Sequence, residues 1–213
     1  MQIKLKSIKK EAEQIFSLVF DKPEGFNFYP GQYLDVGIIF SISSSPSEDF
    51  LMLTYKTGIS PFKKRLATLK KGDLISSSHP AGTVVIDDSS PIVMMAGGIG
   101  IAPHRSMIKW AVDQKLDLPI TLIYSNSDSD FIFKKELDFW QKMYPKLKIH
   151  YIVTGKEGRL TEEKLQKLSP VTSNLSPIYY LAGPPAMVDD FEDILLSLGI
   201  DETSIRTDRF DGY

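Results

Sequence analysis

Three glycine turns carry the residues whose types and spacing point most clearly to chemistry. The turn Ala96-Gly97-Gly98-Ile99-Gly100-Ile101-Ala102-Pro103 follows an apolar run and opens a helical pattern. Glycines there let the backbone approach a ligand, and a helix N-terminus offers unpaired N–H groups to a pyrophosphate. Pro103 stands where the last glycine of a G-x-G-x-x-G dinucleotide fingerprint belongs. A ligand-free strand-to-helix turn is the simpler reading, but the strand before and helix after favour a nucleotide. The second turn, Gly58-Ile59-Ser60-Pro61, is followed by Lys63, Lys64 and Arg65. A phosphate fits such a place, although spacing alone puts an ordinary capped helix with a solvated basic face first. The third, Leu181-Ala182-Gly183-Pro184-Pro185-Ala186-Met187, closes a later apolar run. In open α/β sheets that edge lines the ligand crevice, so a site is preferred to a plain helix start.

Other chemistries are excluded by residue type. The chain has no cysteine, which removes disulfides, thiolate zinc, cysteine nucleophiles and any iron–sulfur cluster held by these residues. His79, His104 and His150 lie far apart without metal-ligand spacing, so no metal site is expected. Lys plus Arg number 25 against 27 Asp plus Glu, a balance that offers nucleic acid no basic surface. The longest apolar stretch, residues 91–103, contains glycines and is too short to span a bilayer. The charged N-terminus lacks the apolar core of a signal peptide, which makes a cytoplasmic protein the expectation. With 213 residues, 42% of them hydrophobic and 24% charged, one large or two small soluble domains are expected.

The elements that must position these turns differ between the two halves. Residues 1–88 alternate short strands with turn signals: strands at 15–20, 32–36, 50–55, 74–76 and 83–86 suggest an antiparallel barrel or sandwich. One helix interrupts them, with Ser60 as N-cap, Pro61 at its first position, and Phe62, Leu66 and Leu69 at helical spacing. From residue 89 onward strands and helices take turns. Strands at 92–96, 120–124, 148–153 and 178–182 alternate with helices after Gly100, at 134–143, from Thr161 and at 186–198. That alternation predicts an α/β doubly wound parallel sheet, with the boundary in the polar connector 87–91.

Further motifs complete an ordered set: Pro30-Gly31-Gln32-Tyr33, Phe40-Ser41-Ile42-Ser43-Ser44-Ser45-Pro46, His79-Pro80-Ala81-Gly82 and a terminal Phe210-Asp211-Gly212-Tyr213. Taken with the three glycine turns, the chain resembles the ferredoxin–NADP reductase superfamily of flavin oxidoreductases along nearly its whole length. The resemblance implies a six-stranded antiparallel β-barrel carrying FAD over residues 1–88. It implies an NAD(P)H-binding α/β domain with a C-terminal aromatic tail over residues 89–213. Phe40 would stack on the flavin, Ser41 would hydrogen-bond near flavin N5, and Ile42 and Ser43 continue that motif. Gly58, Ile59 and Ser60 would take the FAD pyrophosphate, with Tyr55 and Lys56 toward the adenosine end. Gly97, Gly98, Ile99, Gly100 and Pro103 would hold the nicotinamide dinucleotide, with Tyr124 and Ser125 on the next strand. Gly183, Pro184, Pro185 and Met187 would shape the nicotinamide end. Tyr213 would cover the flavin face, and Asp208 would help relay a proton.

Four positions depart from the family pattern. Ile38 stands where an arginine is expected, His79 replaces a glycine, Ala182 a cysteine, and Phe40 a tyrosine. The resemblance implies hydride transfer from NAD(P)H to FAD. Electrons would then pass to a separate ferredoxin, flavodoxin or oxygenase component, or to a small acceptor, because this chain cannot hold an iron–sulfur relay. Lysine pairs such as Lys63-Lys64 and Lys134-Lys135 would suit an acidic partner, although such pairs are commonly just solvated surface. The stretch Tyr124-Ser125-Asn126-Ser127-Asp128-Ser129-Asp130 has two acids and no base, which leans toward NADH, with Arg159 as the competing base. Two other readings stay open: an electron-transfer subunit of a larger complex, and a degenerate nucleotide sensor without turnover.

Overall fold

Alternation of apolar and charged residues builds the first element. In β1 (Gln2–Ala12) Ile3 and Leu5 are buried while Gln2, Lys4 and Lys6 face out. Its charges masked it in the sequence reading, where no strand is expected before residue 15. The structure, a computed structural model, describes residues 1–168 and 176–210. It divides into two compact units, the first made of Met1–Ile86 together with Ala102–Trp110.

In the first unit β1 pairs antiparallel with β2 (Ile15–Asp21), and β2 with β5 (Phe50–Lys56). β3 (Tyr33–Asp35) and β4 (Ile39–Ser41) pair antiparallel as a two-stranded ribbon. Helix α1 (Pro61–Thr68) follows β5, and β6 (Leu74–Ser76) returns to pair with β1. The sheet order is β5-β2-β1-β6, so the expected six-stranded barrel is realised as a four-stranded antiparallel sheet and a two-stranded ribbon. Single bridges add to these ladders, one from Tyr33 of β3 to Ala81 and one from Ile42 to Leu53 of β5. The expected strand at 83–86 does not form. Val85 N–H bonds back to Thr83 O and Ile86 N–H reaches Pro30 O, which leaves no ladder to extend. Leu18, Phe20, Leu34, Leu51, Leu53 and Leu66 join Ile3 and Leu5 in the core of this unit.

The second unit takes Asp87–Ile101 and the chain from Ala111 onward. Strand β7 (Ile92–Gly97) leads through a short 3-10 turn, Gly98–Gly100, into α2 (Ile101–Asp113). There follow β8 (Ile120–Asn126), α3 (Lys134–Met143), β9 (Leu147–Val153), the single turn α4 (Thr154–Glu157) and α5 (Glu162–Leu168). Then come β10 (Ile178–Gly183), α6 (Pro185–Ser197) and β11 (Ile205–Arg209). The five strands are parallel in the order β11-β10-β7-β8-β9. Every residue of β7 and β10 is buried, as befits central strands of a sheet covered on both faces. The edge strand β11 is absent from the sequence reading, because Thr207, Asp208 and Arg209 interrupt its apolar character.

Strand order decides where a ligand belongs. From β7 the chain moves outward through β8 to β9, then returns to β10 on the opposite side of β7. The winding therefore reverses between β7 and β10. In open α/β sheets the crevice forms at such a reversal, beyond the carboxyl ends of the strands.

Candidate functional site

Two glycine turns meet at that reversal. A Cβ on Gly97 would lie 2.6 Å from Met187 Cε, and one on Gly100 would lie 2.7 Å from Gly183 Cα and overlap the Ala182 carbonyl. Gly183, at φ +154°, would place a Cβ 2.5 Å from Met187 Cε. Gly100 is held to glycine by backbone of the turn after β10, whereas Gly97 and Gly183 close on the end of the half-buried Met187 side chain, so the turns after β7 and β10 pack closely together. Gly98 is different. It takes the left-handed conformation, φ +53°, yet its absent Cβ would meet nothing nearer than Asn126 Oδ1 at 4.0 Å. Its outer side is open, and the start of α2 lies just beyond it, which is the shape that admits a phosphate.

The rest of this unit's predicted residues sort by depth. Tyr124 is buried and donates its hydroxyl to Gly98 O at 2.9 Å, so it props the turn from beneath; burial raises its pKa. Ser125 and Ile99 are also buried. Pro103 lies in the first turn of α2, where its missing N–H costs nothing, and Pro185 opens α6 in the same way. Pro184 is the N-cap residue of α6. Asp208 of β11 pairs in register with Ala182, and the next residue, Arg209, pairs with Gly183. Phe210 N–H then donates to Gly183 O at 3.0 Å. The Arg209 guanidinium bridges Asp189, at 2.9 Å, and Glu192 on α6, a clamp that sequence reasoning missed. Its partners lie 20 and 17 residues back along the chain, so no local pattern announces it. Tyr213, with Asp211 and Gly212, lies outside the described residues.

In the first unit, Phe40 on β4 is half-buried, its ring centroid 6.5 Å from that of Phe62 on α1. Ser41 is buried beside it. Ile42 and Ser43 are wholly buried, and Ser43 spends its hydroxyl on Thr54 Oγ1 at 2.9 Å. Tyr55 is buried as well, with its pKa raised by burial. Lys56, Gly58, Ile59 and Ser60 are exposed. Ser60 Oγ accepts the Lys63 N–H at 3.2 Å, the N-cap bond expected from its type. The Lys63 side chain passes over Gly58, where a Cβ would lie 2.9 Å from Lys63 Cδ. Partial burial and the nearby Lys56 ammonium both lower the Lys63 pKa. Two cations held against their mutual repulsion at a helix N-terminus fit a phosphate diester. Ile38, at the position where the resemblance implies an arginine, is half-buried.

The histidines are split. His79 is exposed, whereas His104 in α2 is 1% exposed, its Nδ1 lacks a partner, and burial lowers its pKa to about 3. Among the described residues, no group of three or more acids and histidines is placed to hold a metal ion. Among them, too, no helix is long and apolar enough to cross a membrane.

The chain is similar to known proteins. Residues 94–193 match the family model of the oxidoreductase NAD-binding domain. Flavohemoprotein A of Dictyostelium discoideum is 25% identical over 230 residues, which cover 94% of this chain and 58% of that protein. NADH-cytochrome b5 reductase 1 of Scheffersomyces stipitis is 31% identical over 163 residues, covering 71% of this chain and 56% of the relative. The chain thus spans little more than half the length of these curated relatives. Ferredoxin-NADP+ reductase from Plasmodium falciparum has the same fold, with a TM-score of 0.83 and 18% identity over 98% of this chain and 95% of that one.

Proposed function

We propose, from the premise that the chain belongs to the ferredoxin–NADP reductase superfamily, that it is a flavin-dependent oxidoreductase using NAD(P)H. Its electrons go to a separate acceptor: a ferredoxin, a flavodoxin, an oxygenase component or a small molecule. The observation that carries this reading is the pair of interlocked glycine turns at the sheet's winding reversal, within the matched NAD-binding stretch. FAD, when bound, supplies two-electron acceptance from a nicotinamide and one-electron release, chemistry that no side chain here can perform.

The residues divide the remaining work. Gly98 and the start of α2 hold the dinucleotide pyrophosphate, and Gly183 to Met187 shape the nicotinamide end. Lys56, Lys63 and the Ser60-capped start of α1 hold the flavin pyrophosphate, and the cation pair offsets the charge missing at Ile38. Phe40 offers an aromatic face and Ser41 a hydroxyl to the flavin ring. Asp208 holds or passes a proton, a role supported by its register beside Ala182 at the end of β10. We read the four-stranded sheet and the β3–β4 ribbon as one six-stranded barrel, joined through the bridges at Tyr33 and Ile42.

The loop after β8 favours NADH over NADPH. Asp128 and Asp130 lie in it, Asn126 Nδ2 donates to Asp128 Oδ1, and Arg159 pairs with Asp190 at 3.1 Å. A 2′-phosphate would face carboxylates, with Lys156 of α4 as the base left nearby. Ile38 also motivates a second reading, a nucleotide sensor without turnover. Anaerobic titration of the FAD-loaded protein with NADH and NADPH tests both. Bleaching of the yellow flavin band is expected, first with NADH. A flavin that stays yellow with both nucleotides supports the sensor, and protein that takes up no FAD refutes the reductase.

A further inference from the structure

Helix α2 carries two polar side chains whose burial the glycine turn does not explain. Arg105 is 2% exposed and Ser106 wholly buried, and both belong to the first unit. The Arg105 guanidinium donates through Nη1 to Ser43 O at 2.8 Å and to Glu48 Oε2 at 2.9 Å. Its Nη2 donates to Glu48 Oε1 at 3.1 Å. Glu48 Oε2 also accepts the Ser45 N–H at 2.7 Å, and Ser106 Oγ donates to Ser44 O at 2.6 Å. The other side of the same loop is held by β5 and β2. Ser43 N–H bonds to Met52 O, Met52 N–H to Ser44 Oγ, and the Ser43 hydroxyl to Thr54, which also meets Ser17.

The backbone following Phe40 and Ser41 is thus fixed from two directions, and one anchor is a forked, three-point guanidinium contact. We infer that Arg105 is a positioning residue for the flavin, setting through Ser43 and Glu48 the path of the loop that carries Phe40 and Ser41. This rests on the reading of the first unit as flavin-binding. A buried ion pair is a poor source of net stability, since apolar side chains of similar volume do as well. What it supplies is direction: the planar fork fixes both carboxylate oxygens and one carbonyl at once, which an ammonium cannot do. Arg105 does not replace the arginine missing at Ile38, because its donors are turned onto Glu48 and Ser43.

The test separates flavin positioning from general stability. FAD affinity, by quenching of flavin fluorescence, and AMP affinity, by calorimetry, are measured for wild type, Arg105→Met and Arg105→Lys, each checked for folding by circular dichroism. Arg105→Met is expected to weaken FAD binding by roughly tenfold to a hundredfold, the scale on which misplaced binding groups act. AMP affinity stays within about twofold over the same series, and Arg105→Lys falls between the two for FAD. If Arg105→Met does not fold, the isosteric Glu48→Gln serves in its place with the same expectation. Unchanged FAD affinity in a folded variant, or equal loss of FAD and AMP affinity, overturns the inference alone. Wild-type protein that takes up no FAD overturns the flavin reading and this inference with it.

Discussion

The two units solve one problem, holding a turn rigid beside a ligand, by opposite means. In the second unit the turns after β7 and β10 are locked by missing atoms, since Gly97, Gly100 and Gly183 allow backbone to touch backbone and Met187. In the first, the loop after β4 is locked by added polar atoms, with Ser43, Ser44 and Ser45 all wholly buried and hydrogen-bonded. Shape complementarity fails abruptly when one methyl group is inserted, because a backbone carbonyl cannot step aside. A hydrogen-bonded network fails one group at a time, each orphaned donor or acceptor adding its own desolvation cost.

The sharpest break should come at Gly100. Gly100→Ala drives a methyl into the Ala182 carbonyl, and a loss of about 3 kcal/mol or more is expected, with nucleotide binding abolished. Denaturant melts and AMP calorimetry read the two effects. The next largest belongs to His104. Its folded pKa, about 3, lies below the ordinary 6.5, so the unfolded chain binds the extra proton between those values. Stability is therefore complete above pH 6.5 and declines as pH falls toward 3, by about 1.4 kcal/mol per pH unit from this residue. Urea midpoints from pH 7 to pH 4.5 should show that slope, and His104→Leu should flatten it.

Thr54→Val probes the polar network alone. It keeps the shape but leaves the buried hydroxyls of Ser17 and Ser43 without Thr54, and a cost of about 2 kcal/mol is expected in a thermal melt. Gly98→Ala should be the mildest for folding. It meets no atom, so only the left-handed backbone costs it, about 1 kcal/mol. Because the added methyl points to the open side, AMP affinity should fall by more than stability does. If Gly98→Ala and Gly100→Ala behaved alike, the distinction between a packed glycine and a ligand-facing one would collapse.

What could be read in advance followed the range of the interactions. Helix α3 and strand β6 occur where local pattern puts them, and Ser60 caps α1 as its residue type demands. The glycine turns were legible because a strand, glycines and a helix start are neighbours in sequence. The Arg105–Glu48 pair was not, since its partners are separated by 57 positions and neither residue looks unusual locally. The serine run at 41–47 was read as part of a flavin-binding motif, with no sign in it of burial, yet Ser43 to Ser45 form the most deeply buried polar segment among the described residues. Strand β1 was hidden by its lysines, although the alternation of Ile3 and Leu5 with Gln2, Lys4 and Lys6 was there to be counted.

The grouping of Ala102–Trp110 with Met1–Ile86 bears on how this protein can be cut and recombined. A fragment ended in the polar connector near residue 88 would keep every strand of the antiparallel sheet and lose Arg105 and Ser106. Glu48 and the carbonyls of Ser43 and Ser44 would then face a vacated surface. Exchange of halves between this chain and a relative would have to carry α2 along with the first unit. Because the first unit is built from two separate segments of the chain, one scission cannot release it.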